Sequence, residues 1–190
     1  MSHRTKKSYV TPSEYLAFER AAEYKNEYLD GVIYAMTGAS RRHNVITLNI
    51  GGELRASLRG RDCEAYVSDM RVRISAANLY TYPDVVAVCG EPEFEDAEVD
   101  TLLNPSLIVE VLSKSTASYD REVKFGYYRT LPSLAEYLLV AQDKHHIAQY
   151  VRQPDARWLL TDYRSPEDTL QLDSVDCRLS LVEIYDKVFP

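Results

Sequence analysis

Leu107-Ile108-Val109-Glu110-Val111-Leu112 is an apolar run broken by one carboxylate, and Tyr82-Pro83-Asp84-Val85-Val86-Ala87-Val88, upstream of it, is an apolar run that begins with an acid. Near-continuous stretches of Val, Ile and Leu of this length read as strands covered on both faces. An acid inside such a strand is costly to desolvate unless a cation or a set of donors compensates it. Two such acids on neighbouring strands have the composition of a shared divalent-cation site. Lys124, fourteen residues past Glu110, is a candidate third member.

Toward the N-terminus, Thr11-Pro12-Ser13-Glu14 places a polar residue and an early proline ahead of Tyr15, Phe18 and Ala22 at helical spacing, which predicts a short helix. Asp30-Gly31 between the apolar segments of residues 28–36 predicts a hairpin. Val45, Ile46, Leu48, Ile50, Leu54 and Leu58 fit a helix over 42–58 with one buried stripe, and the Gly51-Gly52 pair suits close packing. Strands are expected near 65–67, 70–74 and 83–88, the last of them central, and again at 107–112. Residues 120–130 read as a helix stopped before Pro132. Residues 136–140, 146–151 and 158–163 are rich in β-formers and predict an antiparallel meander, followed by a short strand near 169–172 and a brief helix from Leu181. The sum is an α+β chain, with residues 1–10 as a flexible lead-in and 11–190 as one domain.

The net charge of −7 is a poor match to a nucleic-acid partner until its distribution is considered. Residues 91–100 hold six acids and no lysine or arginine, so the remaining chain is nearly neutral and that segment reads as a solvated loop. No apolar run approaches the ~20 residues needed to span a bilayer, and no leader precedes the helix, so a cytoplasmic protein without a membrane partner is expected. Cys63, Cys89 and Cys177 form no C-x-x-C pair and read as small core residues. His145 and His146 are adjacent, would face opposite sides of a strand, and read as structural. No Gly-rich phosphate loop, helix-turn-helix or zinc finger stands out.

Asp84, Glu110, a backbone carbonyl such as that of Val111 and several waters would meet the oxygen preference of Mg²⁺ or Mn²⁺. A metal with exchangeable waters suits phosphodiester hydrolysis. Lys124 would then orient the nucleophile or stabilise the transition state, and Asp120, Lys124 and Tyr128, at i, i+4 and i+8, line one helix face. Bland readings compete with each assignment. Asp84 fits a Pro-Asp turn, Glu110 a buried salt bridge to Arg71 or Arg73, Lys124 an exposed pair with Asp120, Glu27 a solvated strand residue beside Lys25, and His43 a local hydrogen bond at a helix start.

Over nearly its whole length the chain resembles the Uma-two family of restriction endonucleases, a branch of the PD-(D/E)XK nuclease superfamily. The matching segments are Asn26-Glu27-Tyr28-Leu29-Asp30-Gly31, His43, Ser68-Asp69-Met70-Arg71-Val72, Tyr82-Pro83-Asp84-Val85 and Val109-Glu110-Val111-Leu112-Ser113-Lys114-Ser115-Thr116. The Asp120-x₃-Lys124-x₃-Tyr128 spacing and Glu136-Tyr137-Leu138-Leu139-Val140 complete the match. The resemblance implies a restriction-endonuclease-like α/β core, a mixed central sheet flanked by helices, with a C-terminal antiparallel extension. It implies Asp84 and Glu110 as metal-binding acids and Glu27 as an additional acid, while His43 is expected to orient a phosphate or to position the N-terminal acid. The superfamily lysine normally lies two residues after the second acid, where this chain has Leu112, and the family's spelling moves that role to Lys124. The resulting expectation is an Mg²⁺- or Mn²⁺-dependent endodeoxyribonuclease, working as a homodimer, with Arg41, Arg42, Arg71, Lys114 and Arg121 in a phosphate-tracking rim. The alternatives are a catalytically silent nucleic-acid- or protein-binding module on the same fold, and a phosphoesterase for small substrates.

Overall fold

The structure is a computed structural model that describes residues 9–113 and 119–189. Helix α1 (Pro12–Ala21) begins as its sequence predicts: the Thr11 side chain accepts from the Glu14 amide while the Glu14 carboxylate accepts from the Thr11 N–H at 2.8 Å. Strands β1 (Asn26–Leu29) and β2 (Val32–Ala35) follow as a hairpin. Its Asp30-Gly31 turn has φ of 41° and 87°, the pair of left-handed residues that a twisted two-residue hairpin turn needs. The chain ahead of α1 is tied to this turn, since the Val10 N–H donates to the Gly31 carbonyl at 3.1 Å.

Helix α2 (Arg41–Ser57) is capped by Ser40 and buries Ile46, Thr47, Ile50 and Leu54. Leu48, expected on that stripe, is 70% exposed because it lies halfway round the helix from the four-residue repeat of 46, 50 and 54. At Gly51 a Cβ would come within 2.6 Å of a Val67 methyl, so this glycine permits the close approach of the helix to the sheet beneath.

The remaining strands are β3 (Cys63–Val67), β4 (Arg71–Ile74), β5 (Leu79–Thr81), β6 (Val85–Cys89), β7 (Thr101–Leu102) and β8 (Leu107–Leu112). A π-helical segment, Tyr119–Lys124, runs into α3 (Phe125–Tyr128), and β9 (Glu136–Ala141), β10 (Ile147–Arg152), β11 (Trp158–Tyr163), β12 (Thr169–Leu172), β13 (Cys177–Ser180) and α4 (Leu181–Ile184) complete the described chain. Six strands form one mixed sheet in the order β11-β10-β9-β8-β6-β3, five form a second in the order β2-β1-β5-β4-β7, and β12 pairs with β13. Among the described residues, the one parallel pair of the larger sheet is β8 with β9, with the π segment and α3 lying between them in the chain.

Alternation along β8 divides the core. Leu107, Val109 and Val111 face α2, α4 and the β12–β13 hairpin, whereas Ile108 and Leu112 face α3 and the smaller sheet. Both faces are therefore covered, which is why the run is apolar throughout. Glu110 falls on the second face, as does Asp84 one step before Val85.

Several expectations need correction. Strand β6 is not central: β3 is the sheet's edge and β6 lies next to it, while β8 and β9 hold the middle. The helix expected over 120–130 is a π segment followed by a single α-helical turn, and Asp120 and Lys124 both lie on its buried side, as their four-residue spacing predicts. The antiparallel meander is as expected: β9, β10 and β11 extend the sheet from β8, with which β9 pairs in parallel along its whole length. The acidic segment is not merely solvated. Arg20 reaches Asp96 and Asp100, both at 2.8 Å, Arg71 pairs with Asp100 at 2.8 Å, and Glu95 is held by Arg73 and by the Tyr80 hydroxyl. Finally, Cys63 and Cys89 stand directly opposite one another on β3 and β6, 4.0 Å apart at Cα, and form a disulfide, leaving only Cys177 as a buried thiol. Among the described residues no helix is long and apolar enough to cross a membrane.

Candidate active site

Pairing of Val85 with Val109 brings Asp84, one residue earlier, level with Glu110. The Asp84 carboxylate accepts the Val111 amide at 2.7 Å, which fixes it across the strand boundary. It is the amide of Val111, not its carbonyl, that engages this acid. On the other side of Asp84, His43 Nε2 lies 3.2 Å from the same oxygen, so the first turn of α2 contributes to the site. His43 Nδ1 is buried without a hydrogen-bond partner among the described residues.

Glu110 is buried and its Oε1 accepts from the Tyr128 hydroxyl at 2.6 Å and from Lys124 Nζ at 3.2 Å. Lys124 also lies 3.1 Å from Glu27 Oε1 and 3.8 Å from Asp120 Oδ1. Glu27 is positioned in turn by the Thr81 hydroxyl, a short hydrogen bond from β5 to β1. The Tyr137 hydroxyl, from β9, donates to the Asp120 backbone carbonyl at 3.1 Å and anchors the π segment over the sheet. One ammonium thus sits among three carboxylates contributed by β1, β8 and the π segment.

Burial pushes the Glu110 carboxyl up to about 8, with Asp84 and Asp120 adding to the shift and Lys124 and Tyr128 opposing it. Burial works against the Lys124 charge as well, yet the carboxylates of Glu110, Glu27 and Asp120 hold its pKa well above the usual lysine value. The Tyr128 hydroxyl is raised well above the ordinary phenol by burial and by Glu110, and so remains a donor. Lys124 therefore keeps its ammonium, and burial makes the charge of Glu110 costly.

Neither Arg71 nor Arg73 meets Glu110. Arg71 is buried and bonded to Thr101, Tyr82 and Asp100, so it does not belong to a phosphate-tracking rim. Arg121 and Arg41 are exposed, the latter donating to the Lys187 carbonyl at 3.1 Å, and the Arg42 guanidinium lies 5.3 Å from the centre of the Phe189 ring. Lys114 lies outside the described residues. Thr81 was not singled out from the sequence, although its place three residues before Asp84 on an apolar strand was a usable signal. Glu136 is a second acid at the start of an apolar strand, but donors satisfy it: Ser174 Oγ at 2.6 Å and the Asp173 amide at 3.1 Å. His146 is likewise satisfied, at 2.6 Å from Asp162.

Among the described residues no group of three or more His, Cys, Asp or Glu side chains is arranged to hold a metal ion, and Asp84 and Glu110 stand level as a pair of carboxylates. That donor set fits Mg²⁺ or Mn²⁺, which bind through one or two carboxylates and keep several waters or substrate oxygens. The burial of Glu110 fits too, because a second cation would compensate the acid that Lys124 and Tyr128 together leave with a raised pKa. A hollow of about 530 Å³ beside Gln153, Arg157 and Trp158 shares no residue with this cluster.

Comparison with known proteins agrees with this architecture. A solved structure described as "a putative nuclease belonging to DUF820", from Anabaena variabilis, superposes with a TM-score of 0.74, covering 95% of this chain and 99% of that one at 16% identity. The shared architecture is the restriction-endonuclease-like fold. Two proteins of Synechocystis sp., both described as uncharacterized, are 43% identical over 153 residues and 38% identical over 176 residues. The first alignment covers 80% of this chain and 86% of its relative, and the second 93% and 91%. The model of the Uma2 family, described as "Putative restriction endonuclease", matches residues 12–182, a span that contains every side chain of the cluster, and the chain belongs to that family.

Proposed function

We propose that this protein is a divalent-metal-dependent endodeoxyribonuclease that hydrolyses phosphodiester bonds at the Asp84–Glu110–Lys124 cluster. One observation carries the reading: Lys124 Nζ lies 3.2 Å from Glu110 Oε1 although the position two residues after Glu110 is Leu112. A lysine from the following helical segment thus stands beside the second acid, where a nuclease of this fold needs one. The family description and the nuclease description of the superposed structure support the same class of chemistry.

Asp84, Glu110 and the Val111 carbonyl would hold Mg²⁺ or Mn²⁺, which supplies a bound water of lowered pKa and positive charge at the scissile phosphate. Lys124, protonated and held by Glu27 and Asp120, donates to the attacking oxygen or to the phosphate oxygen on which charge develops. Tyr128 fixes the Glu110 carboxylate, Thr81 fixes Glu27, and His43 together with the Val111 amide fixes Asp84, so no acid has to reorient as charge builds. Arg41, Arg42 and Arg121 offer exposed or part-exposed cations for the flanking phosphates, and two copies would place one such site on each strand of a duplex.

Plasmid cleavage in Mg²⁺, Mn²⁺ and chelator by the wild type, Asp84→Ala, Glu110→Ala and Lys124→Ala tests the proposal. Metal-dependent cutting by the wild type, lost in the first two variants while their circular dichroism is unchanged, is the expected result; cutting retained by both overturns it. The close pairing of Lys124 with Glu27 and Glu110 favours one rival, a silent binding module in which the lysine stands where a cation would bind. That rival predicts DNA retention without cutting under any metal.

A further inference from the structure

Beside the ion cluster is a cavity of about 230 Å³ lined by Glu27, Leu29, Tyr34, Leu79 and Tyr119. Strand register explains its composition. Glu27 stands opposite Tyr34 and Leu29 opposite Leu79, and residues two apart on a strand share a face, so these four side chains project from one side of the smaller sheet. The other side of that sheet is filled by Tyr28 and Tyr80 packing on Tyr15. Tyr119, at the start of the π segment, supplies the remaining wall, and its ring centre lies 6.0 Å from Lys124 Nζ. Glu27 belongs to both places: it lines the cavity and it pairs with Lys124 at 3.1 Å.

The volume is below the roughly 300–1,000 Å³ typical of drug-sized ligand sites and suits one planar ring system. Two tyrosines and two leucines favour a flat aromatic face, and a carboxylate in the wall favours a ring that carries an exocyclic amine. Tyr34 is 51% exposed, a large aromatic left in solvent next to an otherwise buried cluster. We propose that this cavity receives one unstacked nucleobase of the strand being cut, adenine or cytosine in preference to thymine, so that the base is held while its neighbouring phosphate lies at Lys124. This rests on the nuclease reading and adds to it a source of base preference, which the chain otherwise lacks in the form of any DNA-reading motif. Holding a base outside its stack against aromatic side chains is a strategy of enzymes that must fix a nucleotide beside their chemistry.

The test uses a short single-stranded DNA with phosphorothioate linkages around one 2-aminopurine, titrated with the wild type, Tyr34→Ala and Tyr34→Phe while anisotropy and 2-aminopurine fluorescence are both recorded. The wild type should change the fluorescence, Tyr34→Phe should reproduce the change, and Tyr34→Ala should lose it while binding roughly tenfold more weakly, within the range expected for one stacked base. Tyr34→Ala with undiminished fluorescence change and affinity overturns the pocket. If the wild type cuts plasmid DNA but matches Tyr34→Ala in this titration, the pocket fails and the nuclease reading stands. If the wild type neither cuts nor binds any strand, the nuclease reading fails and takes the pocket with it.

Discussion

Replacing Lys124 with methionine keeps most of the buried stem and removes the ammonium, leaving Glu110, Glu27 and Asp120 to face one another. The lysine side chain is 9% exposed and that of Glu110 6%, with contacts of 3.1 and 3.2 Å to Glu27 and Glu110. At an effective dielectric of about 20, each close pair contributes roughly 5 kcal/mol of Coulomb attraction. Desolvation of the ions offsets most of this, so the intact cluster is close to neutral for stability, while removing one partner costs about 3–5 kcal/mol. The cost depends on pH. Without the ammonium, which opposes the upward shift, Glu110 holds its proton more tightly still, so the penalty is smallest in acid and grows as pH rises through the value of about 8 to which Glu110 is already pushed. Urea denaturation in acid and in mild alkali reads the effect directly. Lys124→Met combined with Glu110→Gln should recover much of the loss, and the double-mutant cycle gives the coupling. A loss below about 1 kcal/mol in mild alkali would refute the argument, because it is the magnitude of an exposed ion pair.

Other outcomes follow from the same geometry. Asp84→Asn should lower any metal-dependent cleavage by at least roughly a hundredfold without lowering the midpoint of thermal unfolding measured in chelator, a combination a merely structural acid would not give. In chelator, the wild type should lose stability as pH rises: the folded Glu110 carboxyl holds its proton more tightly than the ordinary value of 4.5, so its contribution is complete below that value and is lost through about 8. Glu110→Gln cannot ionise and should flatten that part of the curve in denaturation across the range. Reduction of Cys63–Cys89, or Cys63→Ser, opens a link between residues 26 apart and should cost about 3 kcal/mol, read as a lower melting temperature under reductant. Arg20→Ala releases Asp96 and Asp100 together and should make residues 91–100 more susceptible to limited proteolysis, with no more than about 1 kcal/mol lost globally, given that these groups are about one-third exposed.

Much of the fold was legible because its signals are local. Thr11 and Glu14 cap a helix within one turn, Asp30-Gly31 dictates the hairpin that follows, and the apolar runs of β6 and β8 declare strands covered on both faces. Strands β5, β7 and β13 are not legible in the sequence; β5 is three residues long and β7 two, too short for a period of their own. The acids of the candidate site were legible as exceptions to an apolar pattern, but so was Glu136, and the pattern could not distinguish an acid satisfied by Ser174 and Asp173 from one met by Tyr128 and Lys124.

Sequence by itself determined which segments must be strands and which acids would be costly inside them, because hydrophobic periodicity and desolvation are properties of a residue and its near neighbours. Only the tertiary structure decided that Lys124 stands beside Glu110, that Arg71 turns away to Asp100, that Cys63 meets Cys89, and that Glu27, eighty-three residues before Glu110, closes the cluster. These contacts are set by strand register and by the path of a crossover, and no local spacing in the chain encodes where two distant strands come level.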